Sequence, residues 1–165
     1  MNNSLIKKLS IYFLIVLVIF SFDRISKVLI LNILEDKDKV DIYINSFLNF
    51  YLVWNTGVGF GLISLESNIY YHILTIIIVL VNMVLIYFLV KSKGKHAYLF
   101  SFIVGGALGN LFDRVYYYAV PDFFDLHIQD FHWFIFNIAD IFISVGIIGL
   151  ILVELIKKEK TSKNA

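Results

Sequence analysis

Four apolar stretches, at residues 9–34, 69–90, 97–114 and 137–156, constrain this chain more than any other feature. A helix needs about 20 largely apolar residues to cross a hydrocarbon core of roughly 30 Å. The first stretch is strongest over residues 11–22 and carries Asp23, Arg24 and Lys27 in its second half. Asn82 is the main polar interruption of the second, the third is rich in Gly, and the fourth is entered through Asn137 and Asp140. Helices apolar on all sides are buried core helices or membrane spans. The chain is 59% hydrophobic and 16% charged, too little polar surface to coat a soluble four-helix bundle. All four stretches are therefore expected to cross a membrane. The expected fold class is an all-α polytopic membrane protein, a single domain over residues 1–165.

Charge supplies the orientation. Fourteen basic against 13 acidic residues leave a formal net charge of +1, which excludes a strongly basic nucleic-acid binder. Nine of the 14 basic residues flank one side of the four stretches: Lys7, Lys8, Lys91, Lys93, Lys95, Lys157, Lys158, Lys160 and Lys163. The positive-inside rule places this side, with both termini, in the cytoplasm. Eight acids lie in the two outer segments, at residues 35–68 and 115–136. Lys7, Lys8 and the apolar run after them resemble a signal peptide, but the bulky aromatics Phe20 and Phe22 stand where a cleavage site needs small residues. An uncleaved first span is expected. With no Cys there is no thiolate metal site and no cysteine nucleophile.

Residues 40–54 (VDIYINSFLNFYLVW) are β-branched and aromatic and read as strand, broken by the glycines of NTGVGFG at 55–61. Gly57, Gly59 and Gly61 miss the dinucleotide-binding spacing, because Leu62 stands where a glycine is required. A substrate-binding turn or a plain loop fits them better. The second outer segment is crowded with Tyr, Phe, His and Trp and is expected to lie as a loop at headgroup level.

The chemistry-bearing residues fall at two span ends. Asn110-Leu111-Phe112-Asp113 closes the third stretch and Asn137-Ile138-Ala139-Asp140 opens the fourth. Residues three or four apart share a helix face, so Asn110, Asp113 and Arg114 cluster, as do Asn137 and Asp140. Asp113 lies 17 residues from His96, and Asp140 lies 17 residues from Lys157. At 1.5 Å per residue both carboxylates sit about 26 Å above the inner boundary. An intramembrane acid faces protein or a water-filled cavity. Either Asp alone is explained by an ion pair with Arg114 or another cation. Two at matched depth, each beside an Asn, suggest a dyad. Close like charges raise one pKa, so the pair holds one proton. The ionised member then takes a proton from water while the other donates to a carbonyl oxygen.

Supporting features have plainer readings. Gly105 and Gly109 form a GxxxG step suited to close helix packing. Asp23 pairs with Lys27 at i,i+4, or both anchor the span at the interface. Asn82 is expected to bond between helices. His127, Asp130 and His132 have metal-ligand chemistry, but aromatic interface loops commonly carry His, and neither metal nor cofactor is expected. Two rival functions use the same features: a proton-coupled transporter working through the Asp pair, and a non-enzymatic assembly factor held by GxxxG contacts. The acids lie at the outer edge, not the midplane, and no inverted repeat is visible, which disfavours transport.

Taken in order, DRISK (23–27), NTGVGFG (55–61), GGALGNLFDR (105–114), VPDFFD (120–125) and FNIAD (136–140) resemble the bacterial lipoprotein signal peptidases, the signal peptidase II family. The resemblance covers nearly the whole chain. It departs at Phe134, where a Pro usually follows the Trp, and at the bulky Ile141 and Phe142, positions expected to shape the substrate entrance. It implies a four-helix membrane core with a small extracytoplasmic β-cradle in the bacterial cytoplasmic membrane. It implies an aspartic endopeptidase that cuts prolipoproteins just before a Cys carrying diacylglyceryl. Asp113 and Asp140 would be catalytic. Asn55 and Arg114 would orient substrate, with Gly57, Asn110, Asn137, Asp23 and Lys27 supporting them. The implied partners are the lipid-modified substrate, membrane lipids and globomycin-type cyclic peptides, with no nucleic acid and a monomer as the working unit.

Overall fold

A computed structural model describes residues 3–57, 68–129 and 131–163. Its elements are α1 (Asn3–Lys37), β1 (Asp41–Asn45), β2 (Leu48–Asn55), α2 (Asn68–Lys91), α3 (Lys95–Tyr116), β3 (Val120–Ile128), β4 (Phe131–Phe136) and α4 (Ile138–Lys163). All four apolar stretches are helical, and each helix outruns its stretch at one end or both. No Gly or Pro interrupts α1, so it continues for 35 residues, and Asp38 at φ 60° follows its end. Asn137 precedes α4 and caps it.

Among the described residues, two helices are by length and composition alone apolar enough to cross a membrane, over Ile69–Lys91 and Ile138–Lys158. The expectation of four spans is met at that level by two. The other two carry the polar groups: α1 holds Asp23, Arg24 and Lys27, and α3 holds Asn110, Asp113 and Arg114. α1 nevertheless exposes Phe13, Leu17, Phe22, Ile25 and Leu29.

α3 is the hub of the helical layer. Its buried face includes Ala97, Ser101, Val104, Gly105, Gly106 and Gly109. Tyr12, Val16, Leu89, Ala97 and Val104 form the core that joins α1, α2 and α3. The glycines work as expected of a close-packing step, against two neighbours at once. A Cβ on Gly105 would meet the Ile19 side chain of α1, and one on Gly106 would lie 2.5 Å from the Ala139 carbonyl oxygen of α4. Backbone cannot yield as a side-chain tip can. Gly106→Ala is therefore expected to cost about 1–3 kcal/mol, the usual range for overpacking. A lower unfolding temperature in detergent would record it; an unchanged one would show that α4 shifts freely. Asn82 departs from its expectation. Its amide donates to the Ile78 carbonyl of its own helix at 2.9 Å, because that acceptor lies one turn back.

The outer segments form one antiparallel sheet in the order β1-β2-β3-β4. The strand-like stretch at 40–54 is a hairpin, with Asn45 opposite Leu48 at its turn. The second outer segment corrects the loop expectation: it supplies β3 and β4. Val120, Pro121, Asp122 and Phe123 are all buried, so the first half of β3 lacks the in-out alternation that marks a strand in sequence. A second core of Ile30, Val40 and Phe123, flanked by Leu52 and Ile138, seats the sheet on α1 and the start of α4.

Candidate active site

The polar residues of α1, α3 and α4 meet where the helices reach the sheet. On α1, Asp23 and Lys27 are fully buried. The Lys27 ammonium donates to Asp23 Oδ2 at 2.9 Å, to Asn110 Oδ1 at 2.9 Å and to Asp113 Oδ2 at 2.6 Å. Three acceptors satisfy all three ammonium protons. Arg24 pairs with both Asp23 and Asp113 and stacks over the Phe112 ring. The expected Asp23–Lys27 pairing is present, and its complete burial excludes the interface-anchor alternative. Two acids and two bases form a closed, balanced cluster.

The N-terminus of α4 is built by a reciprocal cap. Asn137 Oδ1 accepts from the Asp140 amide at 3.2 Å, and Asp140 Oδ2 accepts from the Asn137 amide at 3.2 Å. This is the capping-box pattern with Asp as the acid at the third position. Asp23 Oδ1 satisfies the Ala139 amide at 3.0 Å, another free donor of the first turn. The Asn-x-x-Asp spacing thus fixes the Asp140 rotamer. Its other oxygen accepts from the Asn110 amide at 2.8 Å.

Asp122 enters the same place from β3. Asn137 Nδ2 donates to its Oδ1 at 2.6 Å and Asn55 Nδ2 to its Oδ2 at 2.9 Å. Burial first and the Asp140 charge second raise the Asp122 pKa from 3.8 to about 7, against the lowering effect of the two amides. A carboxyl poised there can hold a proton near neutrality.

Asn55 Oδ1 accepts from the Gly57 amide at 3.0 Å, forming an Asx turn. The Gly57 carbonyl accepts from Arg114 NH2 at 3.0 Å, and Tyr71 donates to the Arg114 carbonyl at 2.9 Å. Gly59 and Gly61 of the same motif lie outside the described residues, as does Asp130. Beside Asp140 lies a groove of about 290 Å³ lined by Phe134, Phe136, Ile141, Ser144, Val145 and Ile148. Two of the positions where the sequence departs from the signal peptidase II pattern, Phe134 and Ile141, form part of its wall.

All nine residues singled out from the sequence join this one network, but the connections differ from the expected pairing. Asp113 and Asp140 are linked through two residues, Lys27 and then Asn110. Asp122 and Asp140 are linked through one, Asn137, which donates to both. Asp113 has a cation at each oxygen, which suits a fixed counter-ion better than a proton carrier. Asp122 and Tyr71 were not singled out as site residues. The available signal for Asp122 was an acid set between Val120, Pro121, Phe123 and Phe124, where a carboxylate needs a reason to be buried.

The sequence family described as Signal peptidase (SPase) II matches residues 15–156. A lipoprotein signal peptidase of Pelagibacter ubique is 46% identical over 166 aligned positions, covering 99% of this chain and all of that protein. One from Anaplasma phagocytophilum is 38% identical, covering 87% of this chain and 90% of its own. A solved bacterial membrane enzyme superposes with a TM-score of 0.73 at 31% identity, covering 92% of this chain and 91% of that one. Neither the transporter nor the assembly-factor alternative finds support among these relatives. With a helical core, a matching family over residues 15–156 and relatives of one kind along its length, the chain belongs to the signal peptidase II family, a family of membrane proteases.

Proposed function

We propose that this protein is an intramembrane aspartic endopeptidase that removes signal peptides from diacylglyceryl-modified prolipoproteins, cutting just before the lipidated Cys. The observation that carries the reading is the Asp122–Asn137–Asp140 bridge, in which the Asn137 side-chain amide donates to Asp122 and its backbone amide to Asp140, the latter lining an apolar groove. In this reading the ionised Asp140 takes a proton from the attacking water. Asp122, protonated near neutrality, donates to the scissile carbonyl oxygen. The proton on Asp140 then passes to the leaving nitrogen as the C–N bond breaks, and a hydroxyl of the tetrahedral intermediate returns its proton to Asp122, so one water and two carboxyls balance the hydrolysis. Asp113, Lys27 and Asp23 hold Asn110 and the start of α4 in place. Asn55, Gly57 and Arg114 orient the substrate from the sheet side.

The wider arrangement follows. All four helices cross the bacterial cytoplasmic membrane as one domain over residues 1–165, with both termini in the cytoplasm and the sheet as an extracytoplasmic cradle. Exposed apolar side chains on α1, α2 and α4 support contact with lipid. The basic flanks support the orientation. A lipidated Cys and an apolar signal helix both partition into the bilayer, which brings the scissile bond to the helix–sheet boundary. Globomycin-type cyclic peptides would compete for the same groove, and a monomer suffices, since one chain supplies every group named.

Cleavage of a diacylglyceryl-modified prolipoprotein by the purified protein in liposomes tests the activity. Asp113→Asn separates the two possible acid pairs. It is expected to retain turnover above the Asp122→Asn background, with a lowered unfolding temperature from the disrupted ion cluster. An Asp113→Asn protein with normal stability and no turnover would return Asp113 to the catalytic pair. The pH profile supplies a second check. Activity is expected to fall as pH rises through about 7, where Asp122 loses its proton. An activity flat to pH 9 would remove Asp122 as the acid.

A further inference from the structure

The β3–β4 hairpin carries a second cluster that the peptidase reading does not use. Asp125 and His127 lie two apart on β3, and His132 of β4 is the cross-strand partner of His127. One ligand atom from each of the three lies within 4.8 Å of the others. Asp125 is 1% exposed, a buried carboxylate whose ion-pair partners among the described residues are these two imidazoles. Both rings turn Nδ1 toward it: His132 Nδ1 lies 2.8 Å from Asp125 Oδ2, and His127 Nδ1 lies 3.8 Å from the same oxygen. The rings stack with centroids 5.4 Å apart.

We propose that Asp125, His127 and His132 form a binding site for a borderline divalent metal ion of the Zn²⁺ class, clamping β3 to β4. A four-coordinate ion with bonds of about 2.0–2.1 Å needs neighbouring ligand atoms about 3.4 Å apart. The two Nδ1-to-carboxylate separations fall on either side of that figure, so small side-chain rotations suffice. Two imidazoles and a carboxylate suit Zn²⁺ and its transition-metal neighbours, whereas Mg²⁺ and Ca²⁺ take oxygen donors. The fourth position faces outward, because the His132 side chain is 55% exposed. At about 3.3 Å per residue along the strand, Asp125 stands roughly 10 Å from Asp122, and the ion is separate from the reacting carboxylates.

The test uses untagged, full-length protein in detergent micelles, stripped with chelator and titrated with ZnCl₂ by calorimetry. One ion per chain is expected, with a raised unfolding temperature, and MgCl₂ should give no comparable heat. His132→Ala and Asp125→Asn should each weaken Zn²⁺ binding by more than about tenfold. His132 is half-exposed, so its replacement should fold even if Asp125→Asn does not. A variant with both remaining histidines, His72 and His96, replaced by Ala should bind Zn²⁺ as the parent does. Absence of binding at millimolar Zn²⁺, full affinity in His132→Ala, or loss of binding in the His72/His96 variant would overturn the proposal. Turnover of the stripped protein is a separate readout. Its survival in chelator is expected of the two-carboxylate reading, and its loss would count against that reading without touching the binding result.

Discussion

Asp140→Asn and Asp122→Asn are each expected to reduce cleavage of a lipid-modified prolipoprotein by roughly 10²–10⁴-fold, the range associated with one general acid or base. The protein should still fold. Asp140 sits in a cap whose other half, the Asn137 side chain accepting from the residue 140 amide, survives the substitution. The side chain introduced by Asp122→Asn would keep one acceptor oxygen for Asn55 or Asn137, and it brings no buried charge. The two losses should not multiply, because one acid and one base act on the same water and carbonyl. A double variant should fall no further than the worse single one. Normal turnover by either folded variant would end the two-carboxylate mechanism. A product of the two single effects in the double variant would show independent roles, which the shared Asn137 argues against.

Lys27→Met is the second large effect, and it acts on folding. Lys27 is 0% exposed and donates to Asp23, Asn110 and Asp113. Removing it leaves two buried acids with Arg24 as their remaining cation. Breaking a buried ion pair from one side costs about 3–5 kcal/mol, because the abandoned charge has lost both water and its partner; here two acids would be left to share the Arg24 guanidinium. For a chain of this size that corresponds to an unfolding temperature lower by roughly 10 °C or more. Neutralising one of the stranded acids as well should recover part of the loss, so Lys27→Met with Asp113→Asn is expected to be more stable than Lys27→Met alone. Equal stability of the two would show that the cluster contributes through packing alone. Activity should fall with Lys27→Met too, because Asn110 would lose the ammonium that holds its carbonyl oxygen and its amide would no longer be fixed on Asp140.

Much of this protein is legible along the chain, and the reason differs by residue. The helices follow from apolar run length, which is local. The Asp23–Lys27 pair and the Asn137–Asp140 cap follow from spacings of four and three, which a helix turns into contact whatever surrounds it. The closely packed glycines follow from the small-residue step. The second outer segment reads as a loop because the first half of β3 is buried on both faces and shows no alternation.

The sequence by itself determined which polar residues share a face on each helix. It also determined the family, through five ordered motifs. Only the tertiary structure decided which acid faces which. Asp113 and Asp140 each stand 17 residues from a basic flank, but that spacing does not determine the direction in which a helix turns its side chain. α3 turns Asp113 toward the cations of α1, and the pairing of β2 with β3 carries Asp122 to the cap of α4. Asp122 and Asp140 are joined by strand pairing and helix docking, long-range contacts that no spacing within one element encodes.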